Sequence, residues 1–488
     1  MICKKFLLSA LVGSAFLLGA CGDDNPNSPD NPTPSSALTP LPTSSSAIDP
    51  GPTSSPTPTS STPAPASSAV APVVYPQLAP AANPTVAMTH YLNWRSSHYT
   101  TEEQEMAIYP SLAVEFNKVF PAAYVYDPVN NPLGGVGRVI WQNQANGYYR
   151  DYCYVEDAAD VSWRARACTV SEGIGYGMLL AYFNQDDETF RRLWNYTRGF
   201  RVWVNRRLMP WITESFYWSE VDNSSATDAD EDIATALILM YYRTGQDMYL
   251  QDALNFVSAI WDLEVNPTTL LLYSGDEGIW KKANPTYNLS YFSPVALRLF
   301  AMVDPSHDWM GVLNAMYTYM QNVQAMGTGV FPDWSDATGN AVNPPNESAG
   351  KNEKTYTWYT FNKESVRIPW RIAWDYYWFQ DPRAATILTQ LNQFISTRAK
   401  NNPDDAALSV YYSWNLAIGP DNTKGTIVPS HWYGAWCVTG IVDNPTWLSL
   451  CTNGVNAKML SNTGSSYFPD ILLSMYSALL NGLFIRPF

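Results

Sequence analysis

The sequence predicts an all-α fold of roughly a dozen helices, joined by long aromatic-rich loops and set behind a disordered leader. Three observations predict it. Apolar residues recur at helical spacing through many segments, Asn-Pro and Asp-Pro turn signals fall between them, and period-2 strand patterns are few. Residues 173–184 carry Ile174, Met178, Leu179 and Tyr182, and residues 230–242 carry Ile233, Ala234, Leu237, Ile238 and Tyr241. The stretches 250–263, 292–302, 309–326, 365–379, 382–400 and 467–483 repeat the pattern. The separating turns begin at Asn266, Asn284, Asp304, Asp381, Asn402 and Asn444, each followed by proline.

Residues 1–20 read as an address. Lys4 and Lys5 precede an apolar run, 6–18, that is too short to span a bilayer and ends in small residues. Leu18-Gly19-Ala20 directly before Cys21 resembles the lipobox of bacterial lipoproteins, which implies cleavage before Cys21 and acylation of its thiol. An ordinary secretory signal with an incidental cysteine is the alternative, and either one takes the chain out of the cytoplasm. Gly22 in place of Asp gives no reason for retention at an inner membrane, so the outer membrane or cell surface is expected. Residues 21–86 form a Pro/Ser/Thr-rich tether that has too little apolar surface to fold and is kept extended by its prolines. No second break of that kind follows, so residues 87–488 are expected to be one domain.

The formal charge is −15. Without a basic stripe, nucleic acid is excluded as the natural partner. Of the six cysteines, Cys153 and Cys168 are close in sequence, as are Cys437 and Cys451. These are the natural pairs in an oxidising compartment, although four cysteines allow three connectivities. No metal motif is present: there is no Cys-x-x-Cys, and His90, His98, His307 and His431 are scattered. Aromatic residues make up 14% of the chain. Many of them, including Trp211, Trp280, Trp334 and Trp432, stand in polar, loop-like surroundings where flat rings would stack on sugars; others must build core.

Two acidic segments stand out. In Ser171-Glu172-Gly173-Ile174-Gly175-Tyr176-Gly177-Met178, Ser171 is a good helix N-cap and Glu172 falls in the first turn. A lone Glu there is commonly a partner of the helix dipole. In Ala226-Thr227-Asp228-Ala229-Asp230-Glu231-Asp232-Ile233-Ala234, four acids crowd a helix start. A solvated N-terminus is the plain reading of that cluster. A calcium loop lacks the required Asp spacing and distal Glu.

Together these segments resemble family 8 of the glycoside hydrolases. Residues 226–234 follow that family's signature without a mismatch, and 171–178 resemble its acid motif. The run Asn288-Leu289-Ser290-Tyr291-Phe292-Ser293-Pro294 is similar to its Ser-Tyr-Phe-x-Pro segment, and Arg367-Ile368-Pro369-Trp370-Arg371 to its Arg-x-Pro-Trp-Arg block. The resemblance covers nearly all of the domain, in the family's order. It implies an (α/α)6 barrel, an inverting mechanism and no metal. It makes Glu172 the general acid, and it gives Asp228, with Asp230 second, the task of holding the sugar at the cleavage point. Tyr176, Tyr291, Trp334 and Trp432 are the expected sugar contacts. The family's base maps onto Glu364, three residues before Arg367, which would hold and polarise it. Asp333, Glu347 and Glu353 remain alternatives, because some subgroups carry the base on an inserted loop.

The expected activity is endo-hydrolysis of a β-1,4-linked polysaccharide, cellulose or mixed-linkage glucan first, with xylan and chitosan as alternatives within the family. A monomer with no cofactor is expected. A surface glycan-binding protein on a decayed barrel and a polysaccharide lyase are the competing classes. The acidic charge disfavours the polyanionic substrate that a lyase needs.

Overall fold

A computed structural model of the chain describes residues 73–108, 110, 112–141, 168–214, 224–342, 359–417, 422–423, 429–459 and 467–488. The chain separates into two units, Met1–Ser68 and Ala69–Phe488. The first, with the expected signal and Cys21, lies outside the described residues.

The second unit is helical. It begins with α1 (Pro84–His98), α2 (Glu102–Ile108) and α3 (Leu112–Val119). Next come α4 (Ser171–Phe183), α5 (Asp187–Trp203), α6 (Thr227–Thr244), α7 (Asp247–Glu264), α8 (Pro294–Val303) and α9 (Trp309–Met326). The last are α10 (Ile368–Phe379), α11 (Pro382–Arg398), α12 (Asp405–Leu408), α13 (Pro429–Val438), α14 (Pro445–Met459) and α15 (Tyr467–Leu480). Short antiparallel pairs stitch the loops: β1 (Tyr99–Thr101) with β2 (Gly137–Val139), and β3 (Cys168–Val170) with β4 (Ile212–Glu214).

Six helices form a closed inner ring. α4, α6, α8, α10, α13 and α15 pack side by side in that order, and α15 returns to α4. α5, α7, α9, α11 and α14 each follow an inner helix and pack outside it, while α1 takes the sixth outer place against α15. This is the expected (α/α)6 barrel. The sequence explains the sorting, because an inner helix has neighbours all round and must be apolar all round. α6 is buried without a break from Thr227 to Met240, and in α4 every residue but Glu172 is buried. Most outer helices begin at side-chain caps. Asp186 accepts from Thr189 N at 3.0 Å ahead of α5, and Asp308 from Gly311 N at 2.8 Å ahead of α9.

Three expectations need adjustment. The boundary expected between 86 and 87 falls inside α1, and packing starts earlier still: the Tyr75 ring packs tilted against Tyr377 at 4.7 Å, and Asn83 N donates to Asn481 Oδ1 at 2.7 Å. Ser171 does not cap α4; Val170 holds that position and the Ser171 hydroxyl makes no hydrogen bond among the described residues. The acidic start of α6 is not solvated, since Asp228, Asp230, Glu231 and Asp232 are all buried. A disulfide joins Cys437 of α13 to Cys451 of α14, as expected. Cys168 is also disulfide-bonded; its expected partner, Cys153, lies outside the described residues.

Candidate active site

Inner-helix N-termini converge at one end of the barrel, around a cavity of about 390 Å³. Ser171 and Glu172 of α4, Asp228 of α6, and Tyr467 and Phe468 of α15 line it. So do Tyr291 ahead of α8, and Lys363, Glu364 and Arg367 ahead of α10, with Trp141 and Trp211 completing the wall. First-turn N–H groups lack intrahelical acceptors and carry partial positive charge, which favours carboxylates at this end.

Gly175 sets the spacing of the first two acids. A Cβ there would lie 2.9 Å from Asp232 Cβ and 3.2 Å from the Ala229 carbonyl oxygen. Only glycine lets the two backbones approach so closely, and that contact brings Glu172, one turn earlier in α4, beside Asp228.

Arg367 ties the acids together. Its Nη1 donates to Glu172 Oε2 and, at 3.0 Å, to Asp228 Oδ2, while its Nη2 donates to Glu364 Oε2. The Tyr467 hydroxyl donates to Glu172 Oε1 at 2.7 Å, and Asn288 Nδ2 donates to Glu364 Oε2 at 2.9 Å. The Arg367 side chain is 3% exposed, against 17% for Glu172 and 19% for Glu364, so the cation is sealed while both glutamates reach the cavity. One turn further along α10, Arg371 forms a two-pronged pair with Asp232, both bonds 2.8 Å, and locks α10 to α6.

Burial pushes the Glu172 carboxyl up to about 7; Arg367 and the Tyr467 hydroxyl pull it down, and the charges of Asp228 and Glu364 add to the rise. Burial outweighs the cation because Arg367 is divided among three carboxylates. Asp228 is also raised by burial, against Arg367 and Arg371. The site therefore offers a carboxyl that holds its proton near neutral pH, with Glu364 on the same guanidinium. That is the makings of an acid–base pair.

The other expected site residues are placed as follows. Tyr176 is fully buried, edge-on to Trp370 at 5.7 Å, because it lies one helical turn below Glu172 and so under the floor. Asp230 is also buried off the cavity, accepting from Met209 N at 3.2 Å. Two residues along a helix turn the side chain by about 200°, so Asp228 and Asp230 cannot face the same way. Trp334 is 7% exposed and sits behind Tyr291, stacked on Trp280 at 5.7 Å. Asp333 is buried beneath the turn that carries Glu364, where its Oδ1 accepts from Asn362 N at 3.2 Å and Ser365 N at 2.9 Å. Trp432 belongs to α13, but its side chain lies outside the described residues, as do Glu347 and Glu353. Sequence reasoning missed Trp141, Tyr467 and Phe468 as wall residues. The last two had a signal: two aromatics opening an apolar helix.

A family model described as "Glycosyl hydrolases family 8" matches residues 142–413. The chain is 32% identical to Endoglucanase 2 of Ruminiclostridium josui over 272 residues, 54% of this chain and 54% of that protein. It is 28% identical to a beta-glucanase of Niallia circulans over 338 residues, 66% of this chain and 78% of that one. The match spans about half the length of the first of these relatives. Among solved structures, the apo beta-1,3-1,4-glucanase from Paenibacillus sp. X4 superposes with a TM-score of 0.62 at 21% identity, over 85% of this chain and 96% of that one. Rex8A from Paenibacillus barcinonensis complexed with xylose superposes with a TM-score of 0.54 at 18% identity, over 80% and 98%. These two structures speak to the fold alone.

Proposed function

Because this chain belongs to family 8 of the glycosyl hydrolases, we propose that it is an endo-acting, inverting hydrolase of a β-1,4-linked polysaccharide, with cellulose or mixed-linkage β-glucan as substrate. Glu172 gives its proton to the glycosidic oxygen as the bond to the anomeric carbon breaks. Glu364 takes a proton from a water that attacks the same carbon from the opposite face. Such a pair stands roughly 6.5–9.5 Å apart in inverting enzymes, so that the water fits between. Arg367 holds Glu364 in place through its Nη2, and Asp228 accepts from hydroxyls of the sugar being cleaved. Trp141 and Trp211, edge to face at 6.5 Å on the cavity wall, supply apolar ring surface for the neighbouring sugars.

The observation that carries this reading is Glu172: a cavity-facing carboxyl raised to about 7 and linked through Arg367 to a second cavity-facing glutamate. The endoglucanase and beta-glucanase names of its relatives support the choice of polymer. The test is reducing-sugar release from carboxymethylcellulose, barley β-glucan, xylan and chitosan, with Glu172→Gln and Glu364→Gln in parallel. Activity on a β-glucan that both variants lose supports the assignment. An active Glu364→Gln moves the base elsewhere, and a wild type inert on all four polymers sinks the reading. The same proposal includes export and acylation at Cys21, for which the check is radiolabelled palmitate incorporation that Cys21→Ser abolishes.

A further inference from the structure

We propose that Tyr467 is a positioning residue for the acid, braced by a buried His98–Asp470 pair that reaches it from the outer helix α1. The inference rests on the acid role given to Glu172 above. Tyr467 opens α15 and is 3% exposed. Its hydroxyl donates to Glu172 Oε1 at 2.7 Å. Its ring lies on the backbone of α4, since a Cβ on Gly173 would come within 3.1 Å of both Cε2 and the hydroxyl oxygen. From behind, the His98 ring meets it edge to face at 6.5 Å. His98 Nε2 is 2.8 Å from Asp470 Oδ2, and both side chains are almost sealed from water. Asp470 stands three residues after Tyr467, so the pair fixes the first turn of α15 and the tyrosine with it.

The placement has a chemical consequence. With Arg367 on Oε2 and Tyr467 on Oε1, both carboxylate oxygens of Glu172 receive donors. Tyr467 fixes the plane of the carboxyl and, as a donor, favours its ionised form. The other groups facing Glu172 are Asp228 from α6, Glu364, Arg367 and Lys363 from the segment before α10, Tyr291 ahead of α8, and Tyr176 on α4 itself. Removing the Tyr467 hydroxyl leaves all of these in place and takes away one donor to the anion. Glu172 then keeps its proton to higher pH, and the alkaline limb of activity moves up by about one pH unit, the size expected of one hydrogen bond to a charged group.

The experiment is a pair of pH profiles of kcat/KM for the full chain and its Tyr467→Phe variant. Expected are an upward shift of the alkaline limb and a lower kcat; a limb that stays in place in a folded variant overturns the proposal. His98→Asn, outside the cavity, is expected to move the limb the same way by a smaller amount, and an unmoved limb removes the brace. Carbodiimide labelling of Glu172 against pH, read by peptide mass spectrometry, follows the same titration without turnover. If the wild type proves inactive, the functional reading fails, while the labelling midpoints of wild type and Tyr467→Phe still decide the tyrosine's role.

Discussion

Gly175→Ala isolates the helix contact that sets the two acids side by side. The new methyl would lie 2.9 Å from Asp232 Cβ and 3.2 Å from the Ala229 carbonyl oxygen. Ordinary carbon contacts are about 3.5–4.0 Å, so α4 and α6 must part by roughly 0.5–1 Å. Overpacking of this kind costs about 1–3 kcal/mol, and alanine in a helix regains about 1 kcal/mol over glycine. The net loss of stability is then about 0–2 kcal/mol, a shift of a few degrees at most in Tm. Catalysis is far less tolerant, since a misplacement of about 1 Å costs on the order of 100-fold in rate. The expected result is a separation of the two readouts: kcat on β-glucan falls about 30- to 100-fold while the thermal melt barely moves. Gly278→Ala serves as the control, because a Cβ there meets nothing within 4 Å. If Gly175→Ala keeps wild-type kcat, the contact has slack and does not set the acid geometry.

Arg367→Met leaves three carboxylates without their shared cation and is expected to abolish hydrolysis and cost about 3–5 kcal/mol. The loss should be smaller at pH 5, where Glu172 and Asp228, both raised by burial, can take up protons, than at pH 8; equal urea midpoint shifts at both would contradict it. The pH dependence of stability has a definite sign. Burial raises Asp232 to about 6, Glu172 to about 7 and Glu264 to about 8. The folded chain therefore keeps protons that the unfolded chain has released, and unfolding free energy falls as pH rises through that window. Asp304 and Asp381 act in the opposite sense. Hydrogen bonds from Ser306 and His307, and from Arg383, hold them at about 2 against their burial, and their contribution is lost only in acid. A Tm higher at pH 5 than at pH 8 is expected, and a rise over that interval would refute the balance. Replacing both Cys437 and Cys451 by alanine opens a loop of sequence separation 14 and should cost about 3 kcal/mol. Neither residue borders the cavity, so the folded variant should keep wild-type kcat.

The sequence announced helices best where periodicity and punctuation agree. α9 was legible at both ends because Asp308 caps it and Gly327 closes it. In α4 and α6 the apolar pattern begins only at 173 and 230, because the acids of the site occupy their first turns, so capping and charge rather than periodicity mark where these helices start. α5 carries no clear periodic signal, since its arginines and threonines dilute the apolar stripe, and α13 is masked by its Pro, His and Gly. The burial of the α6 acids was illegible for a different reason. A cluster of negative charge reads as solvated until its counter-charges are known, and here Arg367 and Arg371 arrive 139 residues later in the chain. Motif order pointed to Glu172, Asp228, Glu364 and Arg367, which meet at one cavity. It could not separate wall from foundation, and so it grouped Tyr176 and Asp230 with residues they only support.

The closed inner ring also bears on synthesis. Its last seam joins α15 to α4, and Tyr467 reaches Glu172 across 295 positions. A chain emerging from the ribosome can stack helices pairwise from α4 onward, but it cannot seal the barrel until α15 is out. Until then the open flanks of α4 and α13 and the inward face of α1 await α15, so the nascent chain carries sticky surface over that interval. The same topology withholds the tyrosine that donates to Glu172 until α15 has been made. A product lacking α15 has an open seam and a Glu172 without the hydroxyl that donates to it, which makes α15 the helix that completes both the ring and the cavity.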